Sequence, residues 1–324
     1  MQLSTNKIIQ YILLTTFGLF SHLSTFAITA PETVAYKTET AFRIITSTCA
    51  KNEASCEGSC TWSDGSTYQG EFKYGLPHGF GEQSWTDGSY YEGEFVEGYR
   101  HGKGTQILDN GDQYIGNFER GMMHGKGTYI WADGTIYKGT YYKDQLEGFG
   151  SITFPSGASY EGEWKKGRAH GEGVFVTAGG ARFAGKYKKG KRHGKGLMTF
   201  SNGAILTGNW YNGYLVKEGL FKFQNGDGFW ANWKQADMEG KVKYNFANKG
   251  KFITVKWKNL MSQLNAEQKA NMAIVFYFTA LEYTFSKQYA KAFIQLKKAL
   301  SLLDENDPRY DAIYTDMKDI QTRL

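Results

Sequence analysis

One apolar residue returns every 23 positions through most of this chain. When it is numbered position 0 of a repeat, 36 of the 40 glycines fall at repeat positions 2, 7, 11, 13 and 20. A period this strict indicates a stacked array of short repeats, which presents its functional residues on a surface. The residues at position 0 are Tyr68, Tyr91, Tyr114, Tyr137, Tyr160, Phe183 and Leu206.

Each repeat is predicted to be a β-hairpin. Residues 91–95 alternate aromatic and acidic side chains, which is typical of a strand with one buried face. A turn is expected around Gly98, and the return strand follows from Gly102. Asn110 and Gly111 form a typical hairpin connection to the next repeat. The sequence therefore predicts an antiparallel meander.

Glycine normally weakens a strand, so glycines at repeated strand positions need a reason. We predict that the rings at positions 0 and 4 lie over the bare backbone of a neighbouring strand, where a Cβ atom would leave no room. Replacing Gly104 or Gly127 by valine should therefore be strongly destabilising.

The repeat resembles the MORN (membrane occupation and recognition nexus) family, whose pattern is Y-x-G-x-x-x-x-G-x-x-x-G-x-G. Residues 114–127 match it almost literally, and the resemblance covers about residues 45–256. It implies a mainly β fold, an elongated and twisted antiparallel meander of hairpins. It also implies membrane-associated or protein-assembling roles, and phospholipid binding has been proposed for such repeats. The sequence departs from the pattern at Asp144, Lys217 and Ala231, each of which replaces a repeat glycine.

Four segments are expected along the chain. Residues 1–27 have the basic start, apolar stretch and small-residue cleavage pattern of a secretory signal peptide, with an uncleaved membrane anchor as the alternative. Residues 28–44 are a linker, and residues 45–257 form the repeat array, with about eight repeats. Residues 262–324 are expected to form a small α-helical cap.

The C-terminal segment has helical periodicity, with a break between two helices near Lys287 and a third, short helix from Tyr310. Its apolar positions resemble a single tetratricopeptide-type helical hairpin. Two roles stay open: a cap that covers the end of the sheet, and a docking groove for a partner peptide or helix. The positions that carry the resemblance are Phe276, Ala280, Tyr283, Tyr289, Ala292, Leu296 and Ala299.

The three cysteines lie together after the leader. Cys56 and Cys60 are four residues apart on one predicted strand, about 13 Å at roughly 3.3 Å per residue, which is too far for a disulfide. Cys49 would face Cys56 across a hairpin. We therefore predict a Cys49–Cys56 disulfide in an oxidising compartment.

No catalytic, cofactor or metal site is predicted. Five histidines recur at position 10, but equivalent residues of consecutive hairpins are about 9.5 Å apart at roughly 4.75 Å per strand, too far to share one zinc ion. The acid pairs, such as Glu92 with Glu94, recur by the repeat template and indicate a solvated sheet face rather than glycosidase carboxylates. No serine or cysteine is arranged with a base as a nucleophile.

Basic residues are concentrated between Tyr160 and Gly196, where ten basic side chains stand against three acids. Seven of the ten fall in the turns of two adjacent hairpins, so they should converge at one edge of the sheet. This edge is a candidate anion-binding site, for lipid phosphates, anionic glycans or an acidic protein; ordinary solubilising turn residues are the alternative. The seven are Lys165, Lys166, Arg168, Lys188, Lys189, Lys191 and Arg192.

The sequence thus predicts a non-catalytic, exported scaffold that is periplasmic, secreted or attached to the cell envelope. Its expected partner is another protein or a second copy of itself. Binding to an anionic phospholipid or glycan surface is the alternative. Neither nucleic acid nor a small-molecule substrate is expected.

Overall fold

The computed structural model describes two compact units of the chain. We call residues 44–168 the N-terminal unit and residues 169–324 the C-terminal unit. The predicted signal peptide and all but the last residue of the predicted linker lie outside the described residues. The structure describes residues 44–324 except 202, 235–236, 247–250, 257–258, 260–261, 263 and 286–287.

Both units are built from consecutive antiparallel strands, so the predicted mainly β meander is confirmed. The N-terminal unit contains β1 (Ile44–Ser47), β2 (Cys56–Trp62), β3 (Thr67–Lys73), β4 (Leu76–Ser84), β5 (Tyr90–Val96), β6 (Tyr99–Ile107), β7 (Gln113–Glu119), β8 (Met122–Ile130), β9 (Ile136–Tyr142), β10 (Gln145–Thr153) and β11 (Ser159–Lys165). The next strand, β12 (Arg168–Val176), begins at the last residue of that unit. The C-terminal unit continues with β13 (Arg182–Lys188), β14 (Lys191–Thr199), β15 (Ile205–Tyr211), β16 (Tyr214–Lys222), β17 (Gly228–Lys234), β18 (Asp237–Phe246) and β19 (Lys251–Lys256).

Two kinds of connection alternate between the strands. At positions 6 and 7 the chain makes a two-residue turn with positive φ at both residues, as at Glu97 (52°) and Gly98 (85°), which is the type I′ geometry. The Asn-Gly and Asp-Gly connections are longer. The Gly88 N–H donates to Trp85 O and the Trp85 N–H donates to Ser89 O, so a type I turn is followed by a glycine in the left-handed region. The tightest turns are therefore not the Asn-Gly connections, because a two-residue turn needs two residues with positive φ.

The rings at position 0 lie over glycine backbone, as predicted. Gly93 and Gly104 face each other across the β5–β6 ladder, and the Tyr91 ring covers both. A Cβ atom on Gly104 would collide with that ring. Tyr91 is fully buried, and it also packs edge to face with the rings of Phe95 and Phe118 at centroid distances of 5.2 and 5.0 Å.

Three helices follow the strands: α1 (Ala266–Phe285), α2 (Tyr289–Leu300) and α3 (Tyr310–Thr322). Their buried residues form one hydrophobic cluster, and the Tyr277 hydroxyl of α1 donates to Asp316 Oδ2 of α3 at 2.6 Å. The Gln268 amide of α1 donates to Asp227, in the connection before β17, at 3.0 Å. The predicted break between the first two helices falls between Phe285 and Tyr289.

The N-terminal end of the array carries the disulfide Cys49–Cys56, with its Cα atoms 6.2 Å apart. It lies where β1 pairs with β2. Cys60 is a free, buried cysteine, and burial raises the pKa of its thiol to about 11. That thiol is therefore held in its unreactive protonated form at neutral pH.

Candidate interaction surfaces

The two-residue turns are joined to the neighbouring hairpins by main-chain bonds. The Gly190 N–H donates to Ala169 O at 2.8 Å, and the Gly213 N–H donates to Arg192 O at 3.0 Å. The same bond recurs at Gly98, whose N–H donates to Pro77 O. The turns are thus held to the neighbouring hairpins by backbone bonds, and their side chains at position 6 are exposed to solvent.

The basic turn residues lie in two groups, one in each unit. In the N-terminal unit Lys165, Lys166 and Arg168 are exposed. In the C-terminal unit Lys188 and Lys189 are exposed and Lys191 is half-buried. Each group on its own places three basic side chains on one turn.

Arg192 is not part of that surface. It is 3% exposed, its Nη2 donates to Gly213 O at 2.9 Å, and its guanidinium lies 5.4 Å from the centre of the Phe183 ring. Arg100 occupies the same position 9 and donates to Gly121 O at 2.7 Å. The prediction that Arg192 belongs to the exposed basic edge rested on its charge alone and was wrong. The signal that could have placed it is that position 9 is apolar in other repeats, as Met123, Leu146, Ala169 and Leu215 show.

The opposite edge of the N-terminal unit, at the longer connections, is acidic. Its aspartates hold their own loops: Asp87 Oδ1 accepts the Ser89 N–H at 2.8 Å, and Asp133 Oδ1 accepts the Thr135 N–H at 2.8 Å. These carboxylates therefore bind main-chain groups of their own connections.

One face of the C-terminal unit carries a row of residues that are all apolar except one threonine. They are cross-strand neighbours at positions 1 and 14, on the face opposite the buried rings. All but one are half-buried, and Trp230 is 38% exposed. We call this set the apolar row: Val174, Ala184, Leu197, Thr207, Leu220 and Trp230.

The equivalent row of the N-terminal unit is mostly polar. Its members pair in the same register but end in carboxylate, amide, hydroxyl or ammonium groups, with the exception of Ile115. The two units therefore share one backbone plan and differ in what this face presents to solvent. The polar row is Gln69, Glu82, Glu92, Thr105, Ile115, Thr128, Lys138, Ser151 and Glu161.

The acids at position 3 have a structural role. Glu94 Oε1 accepts the main-chain N–H of Lys103 at 2.9 Å, and Glu71 Oε1 accepts that of Phe80 at 2.8 Å. These carboxylates therefore bind the backbone of the hairpin, whereas Glu92 points to solvent.

The histidines at position 10 contact the neighbouring turn residues. His124 Nδ1 lies 3.1 Å from Glu119 Oε2, and its ring is 5.3 Å from the Tyr142 ring. Within the described residues, one group of potential metal ligands lies close together: Cys49, Glu53 and Cys56. Its two thiols are joined in the disulfide.

Six consecutive segments, residues 68–90, 91–113, 114–136, 137–159, 160–182 and 183–205, match the sequence profile of the MORN repeat. The chain carries six MORN repeats. MORN repeats are commonly protein- or membrane-interaction modules. The resemblance drawn from Tyr114 and its glycines is thereby confirmed. No curated protein matches the chain significantly in sequence.

Two solved structures show a partial likeness to the MORN chain. The TCP domain of SAS-4 (dCPAP), in complex with a proline-rich motif of dSTIL of Drosophila melanogaster, is 13% identical. The match covers 54% of this chain and 83% of that one, with a TM-score of 0.25. A streptogramin B lyase is 14% identical, with 60% and 66% covered and a TM-score of 0.13. At these scores neither likeness indicates a shared fold or function.

Among the residues that the structure describes, none of the helices has the length and apolar character needed to span a bilayer. The alternative of an uncleaved anchor concerns residues 1–27, which lie outside that part of the chain.

Proposed function

We propose that this MORN-repeat protein is a non-catalytic scaffold, exported through residues 1–27, that assembles with a protein partner or with a second copy of itself. The apolar row of the C-terminal unit carries the proposal. Six neighbouring strands present apolar or small side chains on a face that in the N-terminal unit is polar.

Release of water from the apolar row would stabilise such a complex. Apolar surface that leaves water on association stabilises a complex by about 25 cal/mol per Å². Two sheets pack face to face about 10 Å apart, with their inner side chains interdigitated. A row of Val, Ala, Leu, Thr and Trp side chains across six strands is suited to such a contact, and charged neighbours such as Lys195 and Glu218 on the same face would form its polar rim.

The test is sedimentation velocity on the full chain over a hundredfold range of concentration, together with photo-crosslinking from position 220 in intact cells. We expect self-association, or a crosslinked protein neighbour, that Leu220→Glu abolishes. Thr105→Glu places the same charge at the corresponding row of the N-terminal unit and should leave both results unchanged. A concentration-independent monomer without a crosslinked neighbour would contradict the proposal.

A second candidate is binding to an anionic phospholipid or glycan surface through the basic turns. The observation that favours it is the exposure of Lys188 and Lys189 on one turn and of Lys165 and Lys166 on another. Each basic residue near an anionic membrane adds about 1 kcal/mol, and salt screens the attraction.

Vesicles of phosphatidylserine and phosphatidylcholine test this second candidate. We expect retention of the full chain at low salt that is lost when Lys188, Lys189 and Lys191 are changed together to glutamine. A matched control changes Lys103, Lys126 and Lys138, on the sheet face, to glutamine. Equal retention of the two triple variants would refute a role for the turn.

A further inference from the structure

Three potential metal ligands come together at the N-terminal end of the array. The Sγ atoms of Cys49 and Cys56 and a carboxylate oxygen of Glu53 all lie within 4.8 Å of one another. Ligands of a tetrahedral zinc ion lie about 3.6–3.8 Å apart, because zinc–sulfur bonds are about 2.3 Å and zinc–oxygen bonds about 2.0–2.2 Å long. Once the disulfide is open, small movements of these side chains are enough to enclose a metal ion.

The backbone around both cysteines is held by hydrogen bonds that do not involve the disulfide. The Ser47 hydroxyl donates to Cys49 O at 3.0 Å and accepts the Cys49 N–H at 3.2 Å. The Thr48 N–H donates to Ser59 O at 3.0 Å. Cys56 lies at the first position of the β2–β3 ladder. Reduction should therefore leave the two thiols close together.

Glu53 is held beside the cysteines by the turn that carries it. Its main-chain N–H donates to Ala50 O at 3.1 Å, and its Oε2 atom accepts the Ala50 N–H at 2.9 Å. Its main-chain carbonyl accepts the Tyr74 N–H of the neighbouring turn at 3.0 Å. Carboxylates that bind metals are themselves hydrogen-bonded in this way, because the second partner fixes their orientation.

The three ligands differ in burial. Cys49 is 5% exposed and lies against Gly58, where a Cβ atom would come within 2.7 Å of its Sγ atom. Cys56 is half-buried, and Glu53 is exposed. The group therefore opens to solvent on the side of Glu53. A reductant and a metal ion can enter from that side, and a water molecule can take the fourth ligand position there.

We propose that Cys49, Glu53 and Cys56 bind a zinc ion when the disulfide is reduced. Two thiolates favour zinc, whereas magnesium and calcium take oxygen ligands. The reductant is a dithiol, one thiolate of which attacks Cys56 Sγ, the more exposed sulfur, and releases Cys49. The second thiol then displaces Cys56, so the dithiol gives up two electrons and leaves as its own disulfide. Zinc binding releases the two thiol protons.

The N-terminal end of the array thus has two alternative cross-links. The disulfide and the zinc site both join the segment after β1 to the start of β2, where β1 pairs with the rest of the sheet. The disulfide serves in an oxidising environment and the metal in a reducing one. This proposal goes beyond the scaffold function and does not depend on the apolar row.

Cobalt(II) is the probe, because its thiolate complexes absorb visible and near-ultraviolet light and zinc complexes do not. The full chain is reduced with a phosphine, which is removed under argon, and is then titrated with Co²⁺ and afterwards with Zn²⁺. We expect thiolate-to-cobalt absorption that zinc abolishes by displacement, and none in the oxidised chain. Lack of this absorption at micromolar cobalt overturns the proposal.

Matched variants identify the ligands. Glu53→Gln should weaken Co²⁺ binding by about a hundredfold, since loss of even an outer-shell partner costs about 10–100-fold in affinity. Glu57→Gln removes the same charge next to Cys56 but from outside the group, so it should leave the affinity unchanged. Cys60→Ser should also have no effect, because Cys60 is not a member of the group. Equal affinity of the Glu53→Gln and unmodified chains overturns the site, as does loss of the absorption in Cys60→Ser.

Hydrogen exchange of the Thr48 amide makes the test independent of fraying in the reduced chain. This amide donates to Ser59 O, so its exchange reports opening of the N-terminal end. Reduction should speed the exchange, and zinc should slow it again in the Glu57→Gln chain but not in Glu53→Gln. Zinc that binds without slowing the exchange would contradict the cross-link. The scaffold proposal is tested separately, through Leu220 and by sedimentation of the oxidised chain.

Discussion

The two units build the same hairpin with different residues at position 0. In the N-terminal unit all five position-0 residues are tyrosines, and each donates its hydroxyl to the main-chain carbonyl at position 3, at 2.7 to 3.3 Å. In the C-terminal unit the equivalent residues are Phe183, Leu206 and Phe229. A large apolar side chain at position 0 is therefore enough to continue the meander, and the tyrosine hydroxyl adds a bond that the regular repeats share.

The ring packing changes with the residues. In the N-terminal unit the rings at positions 0 and 4 meet edge to face, as Tyr114 does with Phe118 at 89°. In the C-terminal unit Phe183 still meets Trp210 at 77°, but Phe221 and Phe229 are stacked at 4°. The position-0 side chain of each repeat is therefore matched to the glycines of that same repeat.

The largest expected effect comes from filling a glycine beneath a ring. Gly104→Ala should destabilise the chain by about 3 kcal/mol, because its Cβ atom meets the Tyr91 ring. Gly219→Ala, at the same position of a repeat that has Leu206 at position 0, should cost about 1 kcal/mol, since its closest contact is 3.0 Å from Trp233 Nε1. Urea denaturation measures both, and equal losses would contradict local matching.

A smaller loss is expected from removing one hydroxyl. Tyr91→Phe should cost about 1 kcal/mol, because it removes the hydrogen bond that the Tyr91 hydroxyl donates to the Glu94 carbonyl. Burial raises the pKa of Tyr91, so the hydroxyl remains a donor throughout the accessible pH range. Tyr142→Phe, at a side chain that is 54% exposed, is the control and should leave the free energy of unfolding unchanged.

The reciprocal change should add stability. Phe183→Tyr places a hydroxyl where the regular repeats have one, so we expect a gain of about 0.5 kcal/mol from a new bond to the Lys186 carbonyl. Thermal unfolding of this variant beside Tyr91→Phe measures both signs in one series. A loss on Phe183→Tyr would show that the repeats of the two units are not interchangeable at position 0.

The smallest expected effect is on the pH dependence of the free energy of unfolding. Asp144 replaces a turn glycine, and burial raises the pKa of its carboxyl above the ordinary 3.8. The folded chain therefore holds a proton that the unfolded chain has released. This bound proton contributes fully to the free energy of unfolding below pH 3.8. The contribution is lost as the pH rises through the folded-state pKa of Asp144.

Asp144→Asn should remove that dependence while it keeps an acceptor for the Met123 N–H, which Asp144 Oδ1 now accepts at 2.8 Å. Urea midpoints measured from pH 3.5 to 7 check this. An unchanged slope in the variant would assign the pH dependence to other groups, such as Asp316, whose pKa burial also raises.

The periodicity predicted most of the fold. It placed the rings over glycines, because the 23-residue period fixes which residues meet across a ladder. It did not reveal that the tight turns lie at Glu97 and Gly98 rather than at Asn110 and Gly111, since positive φ at a glutamate has no signature in its residue type.

The surfaces were harder to predict. The apolar row is visible only once the strand register joins Val174 to Leu197 through Ala184, and Leu220 to Trp230 on the next strand. Arg192 was misplaced because its charge suggested solvent, whereas the rings and carbonyl around it accommodate a buried guanidinium.

The main-chain bonds between turns have a consequence for how such a protein changes. Since the Gly190 and Gly213 N–H groups donate to main-chain carbonyls of the preceding hairpin, the exposed side chains at position 6 of these turns are not needed to hold them. Lysines, tyrosines or acids can be exchanged there one turn at a time. A protein built this way can acquire new binding partners along one margin while its interior stays as it was.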